Sequence, residues 1–195
     1  MTFDDIESRF KATMIEIAEK IKLNSLEINI KQIIEFINVI LEIYRSKRKV
    51  FVYGAGRSGF IGRCFAQRLM HLGINSCFVS DTITHRYTKE DLLILVSGSG
   101  ETLTSKAVAN KAKNIGGKII LLTGNPNSSI GKISSLVIKI IGKDKSIAFI
   151  QETLAPYTSL FDISALSVLD SIGGALMKAL NVSEKDIDMR HASLE

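Results

Sequence analysis

Tryptophan is absent from this 195-residue chain, which has only two cysteines, two prolines and three histidines. Two cysteines, Cys64 and Cys77, cannot form a disulfide scaffold or a four-cysteine zinc site. Both lie in apolar stretches and are expected to be inert core thiols. Two prolines beside 14 glycines exclude collagen-like and low-complexity architectures. No apolar run approaches the ~20 residues a membrane span needs. The opening residues, Met1-Thr-Phe-Asp4-Asp5, are acidic where a secretory leader is basic. A cytoplasmic protein is expected.

The remaining composition is that of a globular domain. Hydrophobic residues make up 46% and charged residues 23%, too apolar for disorder. At roughly 150 residues per domain, the length corresponds to one domain. The net charge is +5, but the basic residues are scattered. The densest run, Arg45-Ser-Lys47-Arg48-Lys49, suits the negative end of a helix. Neither a nucleic-acid nor a membrane interface is expected. A modest positive surplus favours small anionic substrates.

Residues 4–46 read as helix: Ile6, Phe10, Met14, Ile17 and Ile21 recur at helical spacing. A second helix starts near Asn29, with Asn29-Ile-Lys-Gln32 as a capping box. It runs through Ile33, Ile34, Ile37, Ile40, Leu41 and Tyr44, a wide stripe that should be buried, against another subunit if not within its own chain. Five short apolar runs follow: Val50–Tyr53, Asn75–Val79, Leu92–Val96, Lys118–Thr123 and Leu136–Ile140. Helical patterns separate them over Gly59–Leu72, Thr102–Ile115 and a short stretch after Asn125-Pro126. A long helix over Thr158–Leu180 follows, and a last one, capped by Ser183 with Asp186, runs to the C-terminus. Continuous apolar strands alternating with helices predict an α/β fold, a single doubly wound five-stranded parallel sheet of flavodoxin-like order 2-1-3-4-5. Residues 1–46 are read as helices packed on a domain of residues 47–195, the whole forming one structural unit.

Two loops are suited to phosphate. Gly54-Ala-Gly56-Arg57-Ser58-Gly59 follows the first strand and opens a helix, where backbone N–H groups can approach an anion. It also matches the dinucleotide fingerprint, with Asp81 near the distance of a ribose-binding acid. Ser97-Gly98-Ser99-Gly100-Glu101-Thr102 follows the third strand, and its three hydroxyls and interleaved glycines can surround a phosphomonoester. In the expected strand order both loops open into the crevice between strands one and three. A nicotinamide-dependent dehydrogenase would also need a substrate domain, and little chain follows the fifth strand to form one.

These loops resemble the sugar isomerase (SIS) domain family, and within it the 6-phospho-3-hexuloisomerases. The likeness is carried by Val52-Tyr-Gly-Ala-Gly-Arg-Ser-Gly59, by Arg68-Leu-Met-His-Leu-Gly73, and by Leu169-Asp170 with the ending Lys185-Asp-Ile-Asp-Met-Arg-His-Ala-Ser-Leu-Glu195. The resemblance implies interconversion of D-arabino-hex-3-ulose 6-phosphate and D-fructose 6-phosphate through a cis-enediol, without metal or cofactor. It implies a homo-oligomer, specifically a tetramer, and functional pairing with 3-hexulose-6-phosphate synthase.

The family's phosphate loop maps onto Ser97, Ser99 and Thr102, with Ser58 and the backbone of Gly56 on the opposite lip. Arg57 is read as binding phosphate or polarising a substrate oxygen. Glu152, in Gln151-Glu-Thr-Leu-Ala-Pro156, resembles the family's glutamate before Leu-Ala-Pro and is the expected base. His191, in the Arg-His-Ala ending, is implied to reach a neighbouring subunit's site and handle a hydroxyl proton. His71 is expected to be a packed structural histidine. Asp81, Thr84-His85 and Asp162 depart from the family pattern, and the Asp81–Tyr87 loop bears on which sugar is preferred. A non-catalytic sugar-phosphate sensor and a related isomerase of another sugar phosphate are the alternatives.

Overall fold

The computed structural model describes residues 3–142 and 152–193. Helix α1 (Phe3–Glu27) and helix α2 (Ile30–Arg45) lead into the domain. Between them Asn29 caps α2, its side chain accepting hydrogen bonds from the N–H groups of Lys31 and Gln32. The return bond from the Gln32 side chain, which a capping box requires, is not made. Five strands and five further helices alternate as expected: β1 (Val50–Gly54), α3 (Arg57–His71), β2 (Ser76–Phe78), β3 (Leu92–Val96), α4 (Leu103–Ile115), β4 (Lys118–Thr123), α5 (Ser129–Ile133), β5 (Leu136–Lys139), α6 (Ser159–Ala179) and α7 (Glu184–Asp188). The sheet is wholly parallel in the order β2-β1-β3-β4-β5.

Strand residues alternate between two apolar layers, as the period of two demands. Val50, Val52, Leu92, Ile94, Val96, Ile120 and Leu122 face α2, α3 and α6. Phe51, Leu93, Leu95, Ile119 and Leu121 face α4 and α5. Burying each such side chain contributes roughly 1.5–3 kcal/mol relative to exposure, so both faces of the sheet carry the fold. Helices α3 and α4 therefore lie on opposite faces, and the strands preceding them are neighbours.

Several expectations need correction. Helix α3 begins two residues earlier than the periodicity suggested, because Gly56 serves as its N-cap. Helix α7 does carry the Ser183–Asp186 capping box but stops at Asp188. Cys64 is exposed and Cys77 half-buried, so neither is a core thiol; Cys64 lies on the outer face of α3. In α1, Ile17 and Ile21 are half-buried, whereas Ile6, Phe10 and Met14 are exposed. In α2 the buried line is Phe36, Ile40, Leu41 and Ile43, and Ile34 and Tyr44 face outward. Helix α6, at 21 residues, is long and apolar enough to cross a membrane, contrary to the reading that no such run exists. It packs on α1, α2 and α3 and buries Phe161, Ala165, Leu169, Ile172 and Leu176, the placement of a core helix.

Candidate active site

The pairing register brings the two loops level. Gly54, the last residue of β1, lies opposite Val96, the last residue of β3. The chain then turns outward in both places, through Ala55 and Gly56 into α3 and through Ser97–Thr102 into α4. The first turn is tight: a Cβ on Gly59 would stand 2.7 Å from the carbonyl oxygen of Gly54, which only glycine permits. A cavity of about 390 Å³ opens between the loops, lined by Ala55, Gly56, Arg57, Ser58, Val96, Ser97, Gly98 and Thr102. Tyr157, Thr158 and Asp162, at the start of α6, complete its wall.

Three helices thus point their N-termini into one cavity, and none of the three has a side-chain cap. Gly56 precedes α3, Thr102 precedes α4 and Thr158 precedes α6, each without a side-chain bond to the helix's first amides. Helices α2, α5 and α7, which do not line the cavity, are capped by Asn29, Ser128 and Ser183. An uncapped N-terminus leaves N–H donors unsatisfied and carries roughly half a positive charge. Thr158 also has a left-handed backbone (φ 69°), a strained conformation for a β-branched residue. The arrangement is suited to an anion.

Asp162 ties these helix ends together. Its side chain is only 4% exposed, and it accepts hydrogen bonds from Arg57 Nε at 2.9 Å, Thr158 Oγ1 at 2.7 Å and Ser58 Oγ at 3.4 Å. Arg57, 63% exposed, is held by its inner nitrogen. Among the described residues its two terminal nitrogens have no hydrogen-bond partner, so they remain available to a ligand. In the sequence Asp162 stands out only as a departure from the family pattern. A stronger signal was a lone carboxylate within the apolar run Leu160, Phe161, Ala165 and Leu169.

The serine loop divides its hydroxyls between two tasks. Ser97 Oγ accepts from Gly100 N–H and Ser99 Oγ from Glu101 N–H, both at 3.2 Å, so these oxygens shape the turn. Ser97 lines the cavity, Ser99 does not, and Thr102 lines it with a hydroxyl that caps nothing. Glu101 turns away from the cavity to accept Ser129 N–H at 2.6 Å and Ser129 Oγ at 2.8 Å, with Lys106 Nζ at 3.3 Å. Those bonds, the Ser129 backbone first, hold its carboxyl below the usual range. Glu101 is therefore a brace to α5. The loop's other side is fixed where Gly98 O accepts from Gly124 N–H at 2.9 Å and Thr123 Oγ1 at 3.2 Å.

The two expected proton-handling residues stand apart from this group. Glu152 is exposed and lies outside the cavity wall, which the same segment joins only at Tyr157. The residues before it, 143–151, are outside the described residues. His191 packs on His71, the ring centroids 4.1 Å apart. Beside it, Arg190 Nη1 donates to the carbonyl of His71 at 2.9 Å. His71 ends α3, whose 15 residues span about 22 Å. The tail thus sits at the far end of α3 from Gly56, out of reach of its own chain's cavity. His71 itself is buried as expected, and burial, followed by the charges of His191 and Arg68, lowers its pKa.

Asp81, the acid that a dinucleotide site would direct to ribose, forms an ion pair with Arg63 on the outer face of α3. Among the described residues no group of three His, Cys, Asp or Glu side chains is placed to hold a metal ion.

Residues 42–166 match the family model described as the SIS domain. The chain is 43% identical over 148 residues to the 3-hexulose-6-phosphate isomerase of Methanocaldococcus jannaschii, covering 75% of this chain and 77% of that one. It is 40% identical over 152 residues to the 3-hexulose-6-phosphate isomerase of Bacillus subtilis, covering 77% and 82%. A crystal structure of a Methanococcus jannaschii protein, for which a molecular function of 3-hexulose-6-phosphate isomerase was inferred, aligns with a TM-score of 0.78 at 36% identity, covering 96% of this chain and 99% of that one.

Proposed function

The chain belongs to the SIS domain family of sugar-phosphate isomerases, and on that premise we propose that it interconverts D-arabino-hex-3-ulose 6-phosphate and D-fructose 6-phosphate. The observation that carries the reading is the single cavity shared by the glycine loop and the serine loop. Its uncapped helix ends, the Thr102 hydroxyl and the terminal nitrogens of Arg57 form an anchor for a phosphate ester. The likeness to two hexulose-phosphate isomerases at 43% and 40% identity supports the choice of sugar.

With the phosphate of C6 anchored, the reaction is a proton shift between C2 and C3. Glu152 takes the proton from C2 of the hexulose, and the electrons of that bond form the C2–C3 double bond of the cis-enediol while O3 gains a proton. Proton loss from O2 and return of a proton to C3 give the 2-ketose. C2 is oxidised as C3 is reduced, so the exchange is complete within one molecule. His191 of a neighbouring subunit moves the proton between O2 and O3, an assignment supported by its distance from its own chain's cavity. That requires a homo-oligomer, and the exposed Ile6, Phe10 and Met14 of α1 offer an apolar face for one; a tetramer is the state proposed. Ser58, Ser97 and the Gly56 backbone complete the phosphate site. Ser99 supports it by shaping the loop.

The experiment supplies purified protein with fructose 6-phosphate and active 3-hexulose-6-phosphate synthase, and measures formaldehyde. Release dependent on this protein is expected. No release with an active synthase removes the substrate assignment and leaves an isomerase of another sugar phosphate.

A further inference from the structure

Helix α1 turns three polar side chains toward the domain. Arg9, Glu16 and Asn24 are seven and eight residues apart, about two helical turns in each case, and share one face. Each bonds the main chain of a segment far along the sequence. Asn24, the buried residue of α1, donates to the carbonyl of Ile141 and accepts from its N–H, both at 2.8 Å. Glu16 Oε2 accepts from Ala155 N–H at 2.7 Å, and Arg9 Nη2 donates to Leu154 O at 3.0 Å.

These anchors stand on either side of Glu152. Residues 152–156 belong to no helix or strand, so no ladder fixes their main chain. Two long-range hydrogen bonds, at Leu154 and Ala155, tie this segment to a helix about 140 residues earlier in the chain. Helix α1 therefore grips the main chain of this segment two and three residues beyond Glu152. A general base must meet its carbon-bound proton within hydrogen-bond reach, and small displacements of a reacting group are costly.

We propose that Glu16 is a positioning residue for Glu152, fixing the segment that carries the base through the N–H of Ala155, with Arg9 as the second grip. The inference rests on the reading of Glu152 as base. It gives the leading helix a part in turnover as well as in assembly.

The test measures kcat and KM for fructose 6-phosphate in the synthase-coupled assay. Glu16→Leu lowers kcat about tenfold with KM within about twofold. Glu16→Gln, whose amide oxygen still accepts from Ala155, stays near the wild type. Arg9→Met, which removes only the Leu154 contact, gives a smaller fall of about threefold and serves if Glu16→Leu does not fold. In a Glu152→Gln chain, Glu16→Leu costs nothing further. Full kcat in both Glu16→Leu and Arg9→Met overturns the inference, as does an undiminished further loss in the Glu152→Gln chain. Unchanged turnover in Glu152→Gln alone instead overturns the assignment of the base, leaving Glu16 nothing to position.

Discussion

Arg57 and Asp162 meet in the lining of the cavity, the exposed guanidinium held at 2.9 Å by a carboxylate that is almost wholly buried. The pair joins the first turn of α3 to the first turn of α6, in the lining of the cavity between the two loops. Its two ends are not equivalent. Removing the exposed cation strands the buried acid, whereas removing the acid releases a cation that water can still solvate.

Arg57→Ala is therefore expected to raise KM for fructose 6-phosphate about tenfold and to cost about 1–3 kcal/mol of stability in urea unfolding. Arg57→Lys does not restore either property, because an ammonium has no inner nitrogen with which to face Asp162 while offering two others to phosphate. Full recovery in the lysine variant would show that charge alone matters there.

Thr102 and Ser97 separate anchoring from architecture. Thr102→Val removes a hydroxyl that caps nothing, so sugar-phosphate affinity falls about tenfold with stability unchanged within about 0.5 kcal/mol. Ser97→Ala also removes the acceptor for Gly100 N–H and costs about 1 kcal/mol in addition. Isothermal titration and urea melts of both variants give the comparison.

Gly100 has φ +64°, and a Cβ there would collide with Ser128 Oγ. Gly100→Ala is expected to cost at least about 2 kcal/mol and to disturb the loop that carries Thr102. Urea unfolding at wild-type stability would show that the turn can adopt another shape.

The pKa of His71 is lowered in the folded chain, chiefly by burial. The unfolded chain then binds the proton more readily, so the contribution of this site is complete above the ordinary histidine value near pH 6.5 and is lost as pH falls from there through the lowered folded value. The melting temperature is expected to fall as pH drops below about 6.5. His71→Phe, which retains a ring against His191, flattens that slope. An equal slope in the variant would assign the loss to other groups.

The sheet could be read from the sequence because its strands are buried on both faces and so appear as unbroken apolar runs, and Leu92–Val96 matches the observed strand residue for residue. The two loops were legible from glycine and serine spacing beside those runs. Helix α1 was legible as a helix from the spacing of its apolar residues, but periodicity reports which residues share a face and not what covers it. Asp162 was undervalued because its worth depends on Arg57, Ser58 and Thr158 meeting it across 105, 104 and four residues of chain. Glu101 read as part of a phosphate loop, yet its bonds to Ser129 give it a bracing role. Cys64 sits among apolar neighbours in sequence but on the solvent side of its helix.

The decisive measurement is the position of the phosphate in a crystal of the protein grown with fructose 6-phosphate. It should lie between the two strand ends, within hydrogen-bond distance of the Thr102 hydroxyl and of the Arg57 guanidinium or the α3 amides. A sugar phosphate seated elsewhere, with Thr102 and the serine loop untouched, would contradict the account.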